Sequence, residues 1–250
     1  MTVGTFFGTE ADAGEALRQD IIAMIKARDE ATPRHRQLEL GPSELGHPCM
    51  RKLAYGLMQT PRCNPSFDPL PSIIGTATHK WLESAAMHAN EVLGRKRWHV
   101  ETRVNPAPWL SGSCDLYDAD TATVIDYKIP GAGRFKTYSK HMSEVYRTQV
   151  HLYGKGFRNA GLAVETVSVM LIPRGGMLSS SKLWSEPYDE SIALAALGRR
   201  EQVAMLLNDF QVEGNPDRFA WFARSGPDCS FCSWWAAQPD GPLQCGGIDV

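Results

Sequence analysis

Asp126 and Lys128 stand two apart in the run Thr123-Val124-Ile125-Asp126-Tyr127-Lys128-Ile129-Pro130. On a strand, residues i and i+2 face the same way, so acid and ammonium sit side by side with Ile125, Tyr127 and Ile129 on the other face. Standing alone, the pair reads as a local ion pair, costly to bury unless the two groups serve each other or a ligand. Asp115 lies on an earlier strand-like run, 112–117, and Asp118-Ala119-Asp120-Thr121 has turn composition. A hairpin there brings Asp115 toward Asp126 and turns Cys114 to the opposite, apolar face. Two adjacent carboxylates repel unless a cation lies between them, and hard oxygen donors select Mg²⁺ or Mn²⁺. His79 could add a nitrogen, which shifts preference toward Mn²⁺, and the Tyr127 carbonyl a further oxygen. Lys128 then has the task of holding an attacking water and steadying charge that develops on phosphorus. Gln149 and Tyr153, four apart on a helix, share a face and can hold the phosphate or the carboxylates.

A second group of chemical residues is the cysteines. Cys229 and Cys232 have the Cys-x2-Cys spacing that lets two sulfurs converge on one metal or cluster, and Cys245 follows after twelve intervening residues. Three thiols do not close a four-ligand site. Cys49, beside Arg51 and Lys52, is the natural fourth, with Cys63 next in line; otherwise Cys63 and Cys114 read as small buried hydrophobes.

The elements that must position these groups follow from periodicity. Thr9 can cap a helix to about Arg28 whose stripe Leu17, Ile21, Met24 and Ile25 reads as core. Residues 30–42 read as a linker containing the basic triplet Arg34-His35-Arg36. A helix starts near Cys49 with Pro48 at its first position, and residues 59–72 read as loop. Gly75–Leu93 is a helix capped by Thr76 or Thr78, with Leu82, Ala85, Ala86, Ala89 and Leu93 buried and His79 near its start. Strands are expected at about 98–104, 112–117, 123–129, 166–172 and 182–184. Helices are expected at about 143–158 and 191–210, with a loop between 131 and 142. The domain division this implies is an N-terminal helix and linker (1–42), a core (43–188) and a C-terminal helix with the cysteine segment (189–250).

Bulk composition sets limits. The chain of 250 residues is 43% hydrophobic and 22% charged, with a formal net charge of −2. That describes a globular protein whose nucleic-acid surface, if any, is local. Such a surface is suggested between Tyr127 and Arg158, where Lys128, Arg134, Lys136, Lys140, Arg147, Lys155 and Arg158 face the single acid Glu144. Neither a membrane span nor a signal peptide is expected, which points to a cytoplasmic protein in which disulfides are disfavoured.

Taken in order, Gly75-x3-His79, Gly112-x2-Asp115, Asp126-Tyr127-Lys128 and Gln149-x3-Tyr153 resemble the RecB-type branch of the PD-(D/E)XK nucleases, with Cys114 where that pattern has proline. One cysteine before this core and three after it resemble the iron–sulfur members of that branch. These include the CRISPR-associated exonucleases, their phage-encoded relatives and the AddB-type nuclease domains. The resemblance implies an α/β fold with a restriction-endonuclease-like core, a mixed central sheet flanked by helices, and N- and C-terminal segments joined at the cluster. It implies His79, Asp115 and Asp126 as Mg²⁺ or Mn²⁺ ligands, beside the Tyr127 carbonyl already considered, Lys128 as the catalytic lysine and Gln149 and Tyr153 as the supporting helix pair. It implies a [4Fe-4S] cluster on Cys49, Cys229, Cys232 and Cys245, with zinc the lesser alternative. The activity implied is 5′-to-3′ exonuclease action on single-stranded DNA ends in recombination, replication or repair, in the host cytoplasm if phage-encoded, with protein partners or self-association possible. The rival readings are a non-catalytic DNA-binding adaptor and an endonuclease of restriction type.

Overall fold

In the computed structural model the described residues are 6–31, 40–64, 68–226 and 229–248, with side chains from residue 14 onward. The basic triplet 34–36 lies outside them. The chain divides into two compact units, one of residues 1–38 with 66–73 and one of 39–65 with 74–250.

Helix α1 (Phe6–Glu30) belongs to the smaller unit. It starts ahead of Thr9, which is therefore a helical residue and not its cap. The predicted core stripe Leu17, Ile21, Met24 and Ile25 is exposed. Helical spacing identifies an apolar face, but not what covers it.

The larger unit opens with α2 (Pro42–Leu45) and α3 (Met50–Leu57). Pro42 takes the first position of α2, inside the stretch expected to be linker. Cys49, not Pro48, borders α3: it is the N-cap, and its sulfur accepts a hydrogen bond from the Lys52 N–H at 3.4 Å. Helix α4 (Leu70–Leu93) begins five residues before the expected Gly75. Pro71 fits its first turn, where an N–H has no helical partner. Thr78 bonds back to the Ile74 carbonyl at 2.8 Å and caps nothing. No residue of α4 is fully buried, and Leu93 is exposed.

Strands β1 (Trp98–Ala107), β2 (Leu110–Asp118) and β3 (Thr123–Lys128) form an antiparallel meander. The short helix α5 (Ala132–Tyr138) occupies part of the expected loop. After it come α6 (Glu144–Asn159), β4 (Thr166–Leu171), β5 (Lys182–Pro187) and α7 (Glu190–Asp209). The sheet order is β1-β2-β3-β4-β5, with β3 and β4 parallel and every other pair antiparallel. This is an α/β fold with a mixed five-stranded sheet flanked by helices.

Helix α6 is the crossover between the parallel strands and packs on the sheet. Val150, Tyr153 and Phe157 meet Val104, Cys114, Val124, Val167 and Val169 in one apolar cluster. Cys114 therefore joins the same core as Val124 and Tyr153, not a separate apolar face. Glycine permits the close approach: a Cβ on Gly156 would lie 2.7 Å from Val104 Cβ. A second cluster joins α3 and α7 to the C-terminal segment through Leu53, Tyr55, Val203, Phe219, Phe222 and Trp234.

Candidate active site and cysteine pocket

The β2–β3 ladder stops at Leu116↔Ile125, one step short of Asp115 and Asp126. There Asp115 leaves the regular pattern, and its Oδ2 accepts the Tyr127 N–H at 2.7 Å. Its Oδ1 meets His79 Nδ1, from α4, at 3.2 Å. On the other side of β2, the pairing with β1 skips Glu101, whose φ of +42 is unusual for a residue with a side chain. The ligand atoms of His79, Glu101 and Asp115 all lie within 4.8 Å of one another. Among the described residues this is the one such group of three.

Asp126 stands outside the trio, one strand over. It is 2% exposed. Its Oδ2 is 2.5 Å from Lys128 Nζ, an ion pair without aligned hydrogen-bond geometry. Its Oδ1 accepts from Gln149 Nε2 at 3.0 Å, and the same amide donates to the Tyr153 hydroxyl at 2.9 Å. The polar face of β3 is thus its deeply buried one, flanked by Val124, while Ile125 and Tyr127 are half-buried. Lys128 also lies over the Tyr146 ring, 4.8 Å from its centre.

The electrostatics follow from this packing. Burial pushes the Asp126 carboxyl up to about 6 against the pull of Lys128. Burial alone would lower Lys128, but Asp126 outweighs it and holds the ammonium above its usual value. His79 is likewise opposed by burial and raised by Asp115. Glu101 is raised by burial and by the neighbouring Asp115 and Glu83 carboxylates. Gln149 Oε1 is buried without a hydrogen-bond partner, like Asp126 Oδ2. A donor set of two carboxylates and an imidazole, with the Asp126 carboxylate one strand over, is one that a hard divalent cation fits.

His79 and Asp115 are therefore brought together, as are Asp126, Lys128, Gln149 and Tyr153, and the Tyr127 backbone joins the two groups. The sequence reading missed Glu101. The alternation on β1 offered a signal, since Glu101 lies level with Asp115, but its positive φ is not readable from residue type. Lys128 has a second role that the sequence reading had set aside, as the counter-ion of a buried acid.

The basic stretch 128–158 divides. On α6, Arg147 bonds Glu186 at 2.6 Å and Lys155 bonds Glu190 at 2.8 Å. On and just after α5, Arg134, Lys136 and Lys140 are exposed.

Cys49, Cys229, Cys232 and Cys245 all line one pocket, with His47, Arg51, Lys52, Arg224 and Trp235 around them. The segment after Cys232 folds back so that Cys245 pairs with Trp235 in an isolated parallel bridge, with its N–H on the Trp234 carbonyl at 2.8 Å. Arg51 Nη1 donates to Cys245 Sγ at 3.9 Å, and Arg51 Nε is buried without a partner. Three cations beside four thiols would offset thiolate charge, so the residues fit a metal group. Cys63 is half-buried, and its sulfur donates to the Trp235 carbonyl at 3.7 Å. Cys114 is fully buried, and burial raises its thiol well above the usual value.

No protein-family model and no curated protein sequence matches this chain. Among solved structures it is similar to a phage-related exonuclease from Haemophilus somnus 129PT, with 14% identity over 66% of this chain and 81% of that one and a TM-score of 0.44. It is also similar to an alkaline exonuclease from Laribacter hongkongensis, with 13% identity over 75% of this chain and 96% of that one and a TM-score of 0.46. The chemistry proposed for this chain rests on its own side chains.

Proposed function

We propose that this chain is a divalent-metal-dependent DNA exonuclease that acts on single-stranded ends, with 5′-to-3′ polarity. The observation that carries the reading is the convergence of His79, Glu101 and Asp115 beside the buried Asp126–Lys128–Gln149–Tyr153 chain. His79, Asp115 and Asp126, with Glu101 added by geometry and the Tyr127 carbonyl, would hold Mg²⁺ or Mn²⁺. Bound there, the cation supplies charge for the scissile phosphate and lowers the pKa of water. The chain's own residues do the rest. Gln149 fixes the Asp126 carboxylate through one oxygen, and Tyr153 fixes the Gln149 amide. Lys128, packed on Tyr146, keeps its proton and presents positive charge where a phosphodiester gains negative charge. Tyr127 N–H locks the Asp115 rotamer that points Oδ1 at His79.

The cysteine pocket supports a structural [4Fe-4S] cluster on Cys49, Cys229, Cys232 and Cys245. Zinc is the lesser alternative, since four thiolates suit either group. Protein purified without oxygen should be brown and carry iron and sulfide, and a colourless zinc protein would refute the cluster.

The test of the activity compares wild type, Asp126→Ala, Lys128→Ala and Glu101→Ala on end-labelled linear and on circular single strands, with Mg²⁺ or Mn²⁺. Wild type should degrade the linear strand and spare the circle. Asp126→Ala and Lys128→Ala should each lose at least about 100-fold in rate, the scale of a removed charge-stabilising group. Equal activity of all four proteins removes the reading. Cutting of closed circles favours an endonuclease, and binding without cleavage favours an adaptor.

A further inference from the structure

We propose that the turn between Cys229 and Cys232 carries a base-stacking platform for single-stranded DNA, made of Phe231 backed by Arg134. The proposal rests on the nuclease reading and adds to it a substrate-positioning subsite 103 positions along the chain from Lys128.

Phe231 lies between two cysteines of the pocket, yet the residue is 58% exposed. A residue this exposed forgoes much of its burial energy, and here hydrogen bonds order the turn that holds it. Asn64 Nδ2 donates to the carbonyls on both sides of Phe231, at 2.9 Å to Ser230 and 2.8 Å to Cys232. The Cys232 N–H closes the turn onto the Cys229 carbonyl at 2.9 Å. A pre-ordered exposed ring loses little conformational freedom when a ligand stacks on it.

The neighbours say which ligand. The Arg134 guanidinium sits 5.4 Å from the Phe231 ring centre. Arg134 comes from α5, the helix directly after the strand of Lys128, so this contact joins the cysteine turn to the catalytic strand. Arg134 and Lys128 both act electrostatically on the Tyr146 phenol. Lys128 lies over that same ring, and Tyr138 meets its edge at 5.3 Å. Phe231 with Arg134, and Tyr146 with Lys128, thus give two ring-and-cation pairs between the cysteine turn and Asp126. Rings and guanidinium planes accept bases, cations accept phosphates, and alternation of the two is the signature of single-strand binding. Exposed Lys136 and Lys140 extend the positive side, away from the ion pairs that occupy Arg147 and Lys155. A duplex keeps its bases stacked and cannot use the platform.

The test is fluorescence anisotropy without added divalent cation. The probes are a labelled single-stranded oligonucleotide and an abasic strand of equal length. Phe231→Ala should weaken binding of the normal strand roughly 5- to 150-fold, the range for loss of one base–aromatic stack. It should leave the abasic strand unchanged and leave the salt dependence unchanged, because no charge is removed. Phe231→Trp should retain binding. Arg134→Gln, outside the cysteine turn, should lose the same preference for bases. Metal content and thermal unfolding are measured for every variant. If Phe231→Ala disturbs the cysteine site, Phe231→Leu and Arg134→Gln decide the matter. Normal affinity and normal base preference in both overturns the platform while the nuclease reading stands. A wild type that neither binds nor degrades single strands overturns both.

Discussion

Asp118 ties the β2–β3 hairpin, and through it sets where Asp115 stands relative to Asp126. Arg97 closes a two-toothed grip on it, Nε to Oδ1 at 2.8 Å and Nη2 to Oδ2 at 2.7 Å, while Thr121 Oγ1 and Asp120 N–H donate to the same oxygens. The hydrogen-bonded Arg97 holds the carboxyl down at about 2, from its usual 3.8. A depressed folded-state value stabilises above pH ~4, and the contribution fades as pH falls from about 4 to 2. It amounts to on the order of 2 kcal/mol. Asp118→Asn should therefore lower unfolding free energy by about 1–2 kcal/mol at pH 7, with wild type and variant converging near pH 2. Urea melts at several pH values check this; a gap that stays constant with pH would show that charge is not the cause. At this scale the sequence was informative about which side chains meet, such as Asp126, Lys128, Gln149 and Tyr153. It was silent on Glu101, because a positive φ in mid-strand depends on its neighbours and not on glutamate itself. It also undervalued the Asp126–Lys128 contact. Lys128→Ala leaves a buried carboxylate unpaired, at a cost of about 3–5 kcal/mol, so loss of cleavage in that variant must be read beside its melting curve.

Helix α6 is the element on which the site depends, since it carries Gln149 and Tyr153 and spans the parallel crossover from β3 to β4. Its fit to β1 is set at Gly156, where an added Cβ would meet Val104 Cβ at 2.7 Å and the Asn105 nitrogen at 3.2 Å. Gly156→Ala brings a gain of about 1 kcal/mol in helix propensity, against overpacking of about 1–3 kcal/mol. Val104 Cβ is fixed to the strand backbone and cannot swing away, so net destabilisation is expected, with a lower midpoint in a urea melt. A stabilised variant would mean that α6 and β1 have room to part. The five strands and α6 were legible because alternation and 3.6-residue spacing persist over enough residues. Helices α2 and α5, and the first turn of α4, were not. They are short or proline-bearing, and their apolar contacts come from distant parts of the chain.

At the scale of the whole molecule, the C-terminal segment is docked by more than thiols. Tyr55 reaches the Pro242 and Gln244 carbonyls at 2.9 and 3.1 Å, and its ring packs on Phe219 and Trp234. Trp234 donates to the Thr60 carbonyl at 2.9 Å, and Arg51 Nη2 to Ala220 at 2.6 Å. Tyr55→Phe keeps the ring packing and strands two carbonyls, an expected loss of about 1–2 kcal/mol. The thermal midpoint should fall by roughly 2–8 °C, with faster hydrogen exchange confined to residues 229–248. Exchange rising uniformly across the sheet would show instead that the segment and the core open as one. Cys-x2-Cys announced that Cys229 and Cys232 would share one pocket. That Cys49 would line the same pocket was legible only from the family-like arrangement, because a contact across so much chain leaves no local pattern.

The distance between the first and last halves of the cysteine pocket also sets a clock. Cys49 leaves the ribosome about 180 residues before Cys229, which at roughly 5–20 residues per second means about ten to forty seconds. Throughout that interval the thiol has no partners and the pocket does not exist. A metal group held by all four thiols would therefore be loaded only after Cys245 has emerged, onto a chain whose sheet residues are already made. If that group is the proposed iron–sulfur cluster, a cell short of iron or rich in oxidant during those seconds would accumulate a protein with a finished sheet and an unfinished closure.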